Sequence, residues 1–146
     1  MFYNFLKKFC FRRIHFFHYA HSFGLDASTG IELSKEEAIG TIATPDNRKA
    51  RGGYWYAGDT LQTAIGQSDN QFTPIALCNY AAALANGGTL YSCNIFKSIG
   101  AKNITPKVLN KIAIPKEHLQ KVVEGMVFVT KRGTAKDIFS DFEITF

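Results

Sequence analysis

The sequence predicts a mixed α/β (α+β) fold in which helices predominate over strands. The clearest helix is an alanine-rich run from Pro74 to about Asn86. Thr73 before it is a favoured N-cap, proline suits the first helical position, and Gly87-Gly88 after it is typical of a left-handed C-cap. A second helix is expected from Pro115 through Thr130, ended by Gly133. Its periodicity predicts one buried apolar face, made of Leu119, Val122, Val123, Met126 and Val127.

Shorter elements are expected between these helices and before them. Ser34 with Glu37 three residues later forms a capping-box pattern, which predicts a short helix from Lys35 to Ile39. The segment Thr44 to Gly53 is interpreted as an exposed loop with solvated charges at Arg48, Lys49 and Arg51. Thr89 to Ile99 has the pattern of an extended strand, and Lys102 to Ile114 that of a loop with a second extended piece.

The first twenty residues predict a basic amphipathic helix. Aromatic residues recur near helical spacing, whereas Lys7-Lys8 and Arg12-Arg13 interrupt every apolar run, and no acid precedes Asp26. A secretory signal needs an unbroken apolar core and a spanning helix needs about twenty apolar residues, so neither is predicted. The aromatic positions of this segment are Phe2, Phe5, Phe9 and Phe16.

Composition fits part of a globular domain, with 46% hydrophobic and 20% charged residues among 146. The three cysteines, Cys10, Cys78 and Cys93, are odd in number and widely spaced, so no disulfide framework and no zinc site are predicted. His15, His18 and His21 recur every third residue and turn progressively round a helix, which does not match the i, i+4 spacing of zinc ligands. No metal and no cofactor are therefore expected.

Several separate segments, in order, resemble the transpeptidase domain of class B penicillin-binding proteins. One is Phe23-Gly24-Leu25 with Thr29-Gly30-Ile31-Glu32-Leu33, and another is Gly58-Asp59-Thr60 through Ile65-Gly66-Gln67. Further matches are Phe72-Thr73-Pro74, Ala85-Asn86-Gly87-Gly88-Thr89-Leu90-Tyr91, Val123-Glu124-Gly125-Met126 and Gly133-Thr134-Ala135. The resemblance is good from about His18 to Phe146.

This resemblance implies a fragment, mostly from the helical lobe, of a β-lactamase/transpeptidase-like fold that lacks part of the antiparallel sheet. We expect a partial domain over residues 1–146, with the eroded basic helix at 1–20 and the recognisable family segment at 21–146. In the intact family the reaction is peptidoglycan cross-linking by D,D-transpeptidation. The implied partners are peptidoglycan stem peptides and β-lactams, and the implied location is the extracytoplasmic side of the cell membrane. The chain itself carries no export signal, so membrane attachment would come from an N-terminal anchor that is missing here.

Catalysis in this family uses a serine followed three residues later by a lysine, the SxxK motif. No serine in the chain has lysine at that offset: Ser22, Ser28, Ser34, Ser68, Ser92, Ser98 and Ser140 are followed by Leu25, Ile31, Glu37, Gln71, Ile95, Ala101 and Glu143. The KTG motif is also missing, because the related block reads Lys131-Arg132-Gly133-Thr134-Ala135 and resembles the end of a family helix before the KTG strand. We therefore expect no catalytic residue here.

Two tripeptides match the family's SxN motif literally. Ser68-Asp69-Asn70 stands where the family has a glycine-containing turn, so we interpret it as a turn. Ser92-Cys93-Asn94 follows the Tyr91 block, and we interpret it as a strand with alternating exposure. The true SxN would precede Phe2, so the chain is expected to be cut between the second and third motifs and to need the remainder of the same domain.

An alternative from another class stays open at this point. The basic N-terminal helix and the Arg48-Lys49-Arg51 segment could form a non-enzymatic module that binds nucleic acid or an anionic membrane surface. Four basic residues near the N-terminus would support only weak, salt-sensitive phosphate contacts, so no nucleic-acid partner is expected.

Overall fold

A computed structural model of the chain describes residues 15–140. Most of the predicted basic helix at 1–20, together with Cys10, lies outside the described residues. Helix α1 is described over residues 15–22. The other helices are α2 (Pro45–Ala50), α3 (Ala57–Ala64), α4 (Pro74–Ala85) and α5 (Lys116–Lys131), and the strands are β1 (Thr89–Tyr91), β2 (Ser98–Ile99), β3 (Lys102–Asn103) and β4 (Val108–Lys111).

Helix α4 begins and ends as its sequence predicts. The Thr73 hydroxyl accepts a hydrogen bond from the amide of Ala76 at 3.3 Å, and Pro74 occupies the first turn. At the other end Gly87 and Gly88 have φ of +87° and +99°, a region that costs glycine little. The chain therefore reverses directly after α4 and returns beside it as β1.

The strands form two small antiparallel pairs. Strand β1 pairs with β4, and β2 pairs with β3. The single strand expected from Thr89 to Ile99 is thus split, and the loop expected from Lys102 to Ile114 contains two strands. The predicted mixture of dominant helix and partial antiparallel sheet is confirmed.

The core lies where α1, α4 and the β1/β4 pair meet. Tyr80 joins its two halves, because it packs against both clusters of buried side chains and its ring meets that of Phe23 edge to face at 5.0 Å. One cluster contains Phe23, Ala83, Leu84, Leu90 and Ile112, and the other contains Ala20, Leu25 and Ile42. The core is small for a chain of this length, which leaves many large apolar side chains at the surface.

Two predictions for the first half of the chain are wrong. Residues 34–36 form a turn, not the start of a helix from Lys35 to Ile39, because the Glu37 carboxylate binds elsewhere instead of capping. The segment expected to be a loop contains α2. Thr44 caps it through a bond from the Asn47 amide at 3.1 Å, with Pro45 in the first turn. This is the same threonine–proline signal that predicted α4.

Helix α5 forms within about one residue of its predicted bounds, but its apolar face is not buried. Leu119, Val123 and Val127 are half-buried, whereas Val122 is 43% exposed and Met126 is also exposed. The physical reason is that α5 packs mainly against one end of α4, across an open groove of about 470 Å³. Gly133 ends the helix by donating to the Phe128 carbonyl at 2.8 Å, without a left-handed φ.

We predict that the isolated chain self-associates through α5, because contiguous exposed apolar surface drives association in water. Val129→Lys, on α5 and 47% exposed, should shift sedimentation towards monomer and lower the binding of a hydrophobic dye. Lys121→Gln on the same helix is the matched control and should change neither. A chain that is monodisperse and monomeric without substitution would contradict this prediction.

Candidate functional site

The Ser68-Asp69-Asn70 tripeptide lies in a turn between α3 and α4, as predicted. Ser68 has φ of +68°, and its Oγ accepts a hydrogen bond from Arg48 Nη2 at 3.2 Å. Asn70 Oδ1 accepts from the amide of Ala43 at 2.8 Å, and its Nδ2 donates to the Gln67 carbonyl at 2.8 Å. Ser68 and Asn70 thus bond to neighbouring parts of the chain, and Asp69 pairs with Arg48. Such bonds are typical of a turn with a structural role.

The guanidinium of Arg48 is the centre of this region. Its Nε lies 2.6 Å from Asp69 Oδ2, and its Nη2 lies 3.3 Å from Asp59 Oδ1. The same group sits 5.7 Å from the centroid of the Trp55 ring, within cation–π distance. Its side chain is only 24% exposed. The prediction that the Arg48 charge is simply solvated is therefore wrong: two carboxylates and an aromatic ring surround it.

Trp55 is held from several sides. Its indole N–H donates to the Thr60 hydroxyl at 2.9 Å, and its ring meets Phe17 of α1 edge to face at 6.4 Å. The backbone after it is fixed as well, because the Tyr56 amide donates to Asp59 Oδ2 at 2.7 Å. Arg48, Trp55 and Asp59 thus form one cluster that joins α1, α2 and α3.

The second SxN match, Ser92-Cys93-Asn94, follows β1 but is not part of a strand, and it shows no alternating exposure because all three residues are half-buried. The Ser92 Oγ accepts from the Lys107 amide at 2.9 Å and donates to Asn94 Oδ1 at 3.2 Å. The Cys93 amide donates to the Thr29 carbonyl at 2.9 Å. These bonds insert the segment between residues 29 and 107.

The Cys93 thiol is not an activated nucleophile. Burial raises its pKa, against a hydrogen bond with Thr29 that acts in the opposite direction. A raised pKa leaves a thiol in its neutral, unreactive form near neutral pH. Among the described residues, Cys78 and Cys93 are both free thiols.

Glu37 anchors the loop before α2, a role that its position in an apparent capping box did not indicate. Its Oε1 accepts from both the amide and the hydroxyl of Thr29, at 2.7 and 2.6 Å, and its Oε2 accepts from the Ser28 hydroxyl at 2.6 Å. Burial would raise the pKa of Glu37, but these bonds together lower it below its ordinary value.

Glu32 makes a similar long-range connection, to the segment that follows β1. Its Oε2 accepts from the Ile95 amide at 3.0 Å, across 63 residues of sequence, and this backbone bond is the main cause of a lowered pKa for Glu32. With the bond between Cys93 and Thr29, it fastens the segment 29–32 to the segment 93–95. Neither tie could be read from local sequence spacing.

The histidines form no metal centre within residues 15–140, where no cluster of three metal-ligating side chains occurs. His21 Nδ1 instead lies 2.9 Å from Asp26 Oδ1 at the exposed end of α1. Over the same residues no helix is both long and apolar enough to cross a bilayer.

Comparison with known proteins agrees with the family resemblance seen in the sequence. The model of the penicillin-binding protein transpeptidase domain matches residues 11–143. Penicillin-binding protein H of Bacillus subtilis (strain 168) is 37% identical over 134 residues, which is 84% of this chain and 18% of that protein. Penicillin-binding protein 2A of the same strain is 32% identical over 131 residues, which is 82% of this chain and 17% of that protein.

A solved structure gives the same result for the fold. A chain from a peptidoglycan synthase complex that coordinates polymerization and crosslinking superimposes with a TM-score of 0.70 at 29% identity. The match covers 86% of this chain and 20% of that one. The present sequence therefore spans about a fifth of the length of these relatives.

We predict that Glu37→Gln weakens the loop at residues 28–37, because a neutral amide cannot replace a carboxylate that accepts three bonds. The loss should be about 2 kcal/mol, the scale of hydrogen bonds to a charged group. Exchange of the Thr29 amide with deuterium should become faster by the corresponding factor. Glu36→Gln, at the exposed neighbouring position, is the control and should leave the exchange rate unchanged.

The same carboxylate predicts a pH dependence. A folded pKa below the unfolded value contributes stability that is present above the unfolded pKa and lost as pH falls through the folded pKa. Protection of the Thr29 amide in the unsubstituted chain should therefore decline on acidification, and in Glu37→Gln it should decline less. Equal acid sensitivity in both chains would contradict the assignment.

We predict that Arg48→Met destabilises the α2–α3 region by about 1–3 kcal/mol, because it leaves the carboxylates of Asp59 and Asp69 without their shared cation. The fluorescence of Trp55, the only tryptophan of the chain, should shift and its quenching by iodide should increase. Arg51→Met removes an exposed cation from the same turn and should do neither.

Proposed function

This chain belongs to the penicillin-binding protein transpeptidase family, and we propose that it supplies part of the helical scaffold of a peptidoglycan D,D-transpeptidase domain. One observation carries the proposal. Several of the segments that resemble the family take part in contacts that hold this fold together, whereas the SxxK and KTG motifs are absent from the sequence.

Four of the matching segments have a structural use in the chain. Thr29 and Glu32 tie the first segment to residues 93–95, and Asp59 of the second segment binds Arg48. Thr73 starts α4, and Gly87-Gly88 turn the chain into β1. A segment retained for such reasons serves the scaffold whether or not a reaction occurs nearby.

Acyl transfer needs a nucleophile, a base and oxyanion donors in one cleft. The 146 residues contain no serine with lysine three positions later and no KTG, so the covalent step is not available to this chain alone. In the proposal the acylated serine belongs to the remainder of the same domain, and the substrate of the complete unit is the stem peptide of peptidoglycan on the extracytoplasmic side of the membrane.

The alternative of a basic binding module has no comparable support. Arg48, the most central cation of its proposed surface, is enclosed by two carboxylates and Trp55 and is not available to an anionic partner. The family match over residues 11–143 includes the Arg48-Lys49-Arg51 segment. It accounts for that segment without a nucleic-acid or membrane partner.

The experiment compares the chain with a chimera. The purified chain, incubated with a fluorescent penicillin, should show no covalent label after denaturing electrophoresis. When residues 15–140 replace the matching segment of Bacillus subtilis penicillin-binding protein H, the chimera should be labelled, because the recipient supplies the reactive serine.

Two control chimeras make the result decisive. The same exchange with the matching segment of penicillin-binding protein 2A tests whether a related scaffold is tolerated, and an exchange that carries Arg48→Met should reduce labelling. If the 2A chimera is labelled and ours is not, the scaffold proposal is wrong. Labelling of the isolated chain that Ser68→Ala abolishes would also overturn it.

A further inference from the structure

Two tyrosine side chains form an exposed pair on a backbone that is held rigidly. Tyr54 is 78% exposed and Tyr56 is 68% exposed, while Trp55 between them is half-buried. Exposure therefore alternates along this segment: the Trp55 ring lies against Phe17 and Arg48, and the tyrosines on either side of it reach solvent.

The anchoring of this pair is stronger than an ordinary surface loop requires. Trp55 is fixed by Thr60, by Phe17 and by the guanidinium of Arg48. The Tyr56 amide is fixed by Asp59, and the turn before Tyr54 is closed by a bond from the Gly53 amide to the Arg48 carbonyl at 3.0 Å. These contacts fix the backbone that carries the two tyrosines, so a ligand that binds there has only the tyrosine side chains to order.

The chemistry of the pair differs from that of the exposed face of α5. That face is aliphatic, with Val122, Met126 and Val129, as expected of a surface that packs against more protein. Here the exposed groups are aromatic rings with polar hydroxyl ends, which suit a partner that is apolar on one face and hydrated at its edge.

Two exposed cations precede the tyrosines in sequence. Lys49 and Arg51 are both exposed at the end of α2, one tight turn before Tyr54. The carboxylates of Asp59 and Asp69 are already paired with Arg48, and Asp46 lies in the first turn at the opposite end of α2. The turn between α2 and Tyr54 thus has exposed cations before it and exposed aromatic rings after it.

We propose that Tyr54 and Tyr56, with Lys49 and Arg51, form a docking surface for the glycan strand of peptidoglycan. Pyranose rings present a face of C–H groups that stacks on an aromatic ring and hydroxyl groups at the edge that remain hydrated. Carboxylates carried by the strand and its peptides complement the two cations. The inference rests on the proposed function, because that function supplies the polymer, but it concerns a surface outside the reactive cleft.

The test is a titration of the full chain followed by the fluorescence of Trp55, which lies between the two tyrosines in sequence. The probes are a soluble disaccharide–peptide oligomer from peptidoglycan, uncharged chitotetraose and the free stem pentapeptide. Both saccharide probes should bind, the charged one more tightly, and the pentapeptide alone should bind much more weakly.

Variants separate the two contributions. Tyr54→Ser with Tyr56→Ser should weaken binding of both saccharides about tenfold or more, the scale expected for loss of a stacking contact, and phenylalanine at both positions should retain most of it. Lys49→Gln with Arg51→Gln should weaken only the charged probe and remove its salt dependence. Tyr91→Ser, at a tyrosine that is 41% exposed on β1, is the matched control and should change nothing.

Three results would overturn the inference: unchanged saccharide binding in the double serine variant, pentapeptide binding as tight as that of the glycan, or a change in sedimentation without a change in binding. The last would mean that the tyrosines contact a second copy of the chain. Labelling of the chimera by penicillin is measured in parallel with the same serine variant. Retained labelling with lost glycan binding supports the docking surface, and retained labelling with unchanged glycan binding refutes it while leaving the scaffold proposal intact.

Discussion

One guanidinium holds together the middle of this chain. Arg48 brings the carboxylates of Asp59 and Asp69 to the same place, where without a cation they would repel each other and α3 would separate from the turn that follows it. The turn in turn places Asn70, which binds the Ala43 amide, and Gln71, which pairs with Thr41 through backbone bonds of 2.6 and 2.9 Å. The start of α4, and with it the packing of the core, therefore depends on a charge cluster whose members, at residues 48, 59 and 69, all precede it in sequence.

A second set of polar ties joins residues 28–37 to one another and to residue 95. Glu37 holds residues 28 and 29, and Glu32 reaches the Ile95 amide, so two carboxylates fasten one irregular segment to another without regular secondary structure. Hydrogen bonds to ionised groups are stronger than neutral ones and define direction as well as distance. With so few buried apolar side chains, directional ties of this kind decide how the loops lie on the core.

Sequence reasoning predicted the elements whose signals are local. Thr73-Pro74 and Gly87-Gly88 sufficed for α4, because capping acts within a few residues. The same threonine–proline signal at Thr44-Pro45 was missed, since the basic residues after it suggested a solvated loop, although one of them has its partners 11 and 21 residues further on. Glu37 has the spacing of a capping box, but its carboxylate accepts hydrogen bonds from residues 28 and 29 instead of capping a helix. Periodicity gave the bounds of α5 but could not state whether a neighbour covers its face.

These contrasts explain how a chain can be recognised as a family member without the residues that react. Removal of one partner from ties such as those of Arg48 and Glu37 is expected to cost on the order of 1–3 kcal/mol, a large fraction of a domain's net stability of about 5–15 kcal/mol. A serine and a lysine lining an open cleft contribute little to that balance, because solvent can satisfy them. The scaffold and the reaction are therefore physically separable, and resemblance carried by caps, turns and ion pairs is evidence about the scaffold alone. The activity has to be argued from the nucleophile itself, and no serine of this sequence has lysine three residues later.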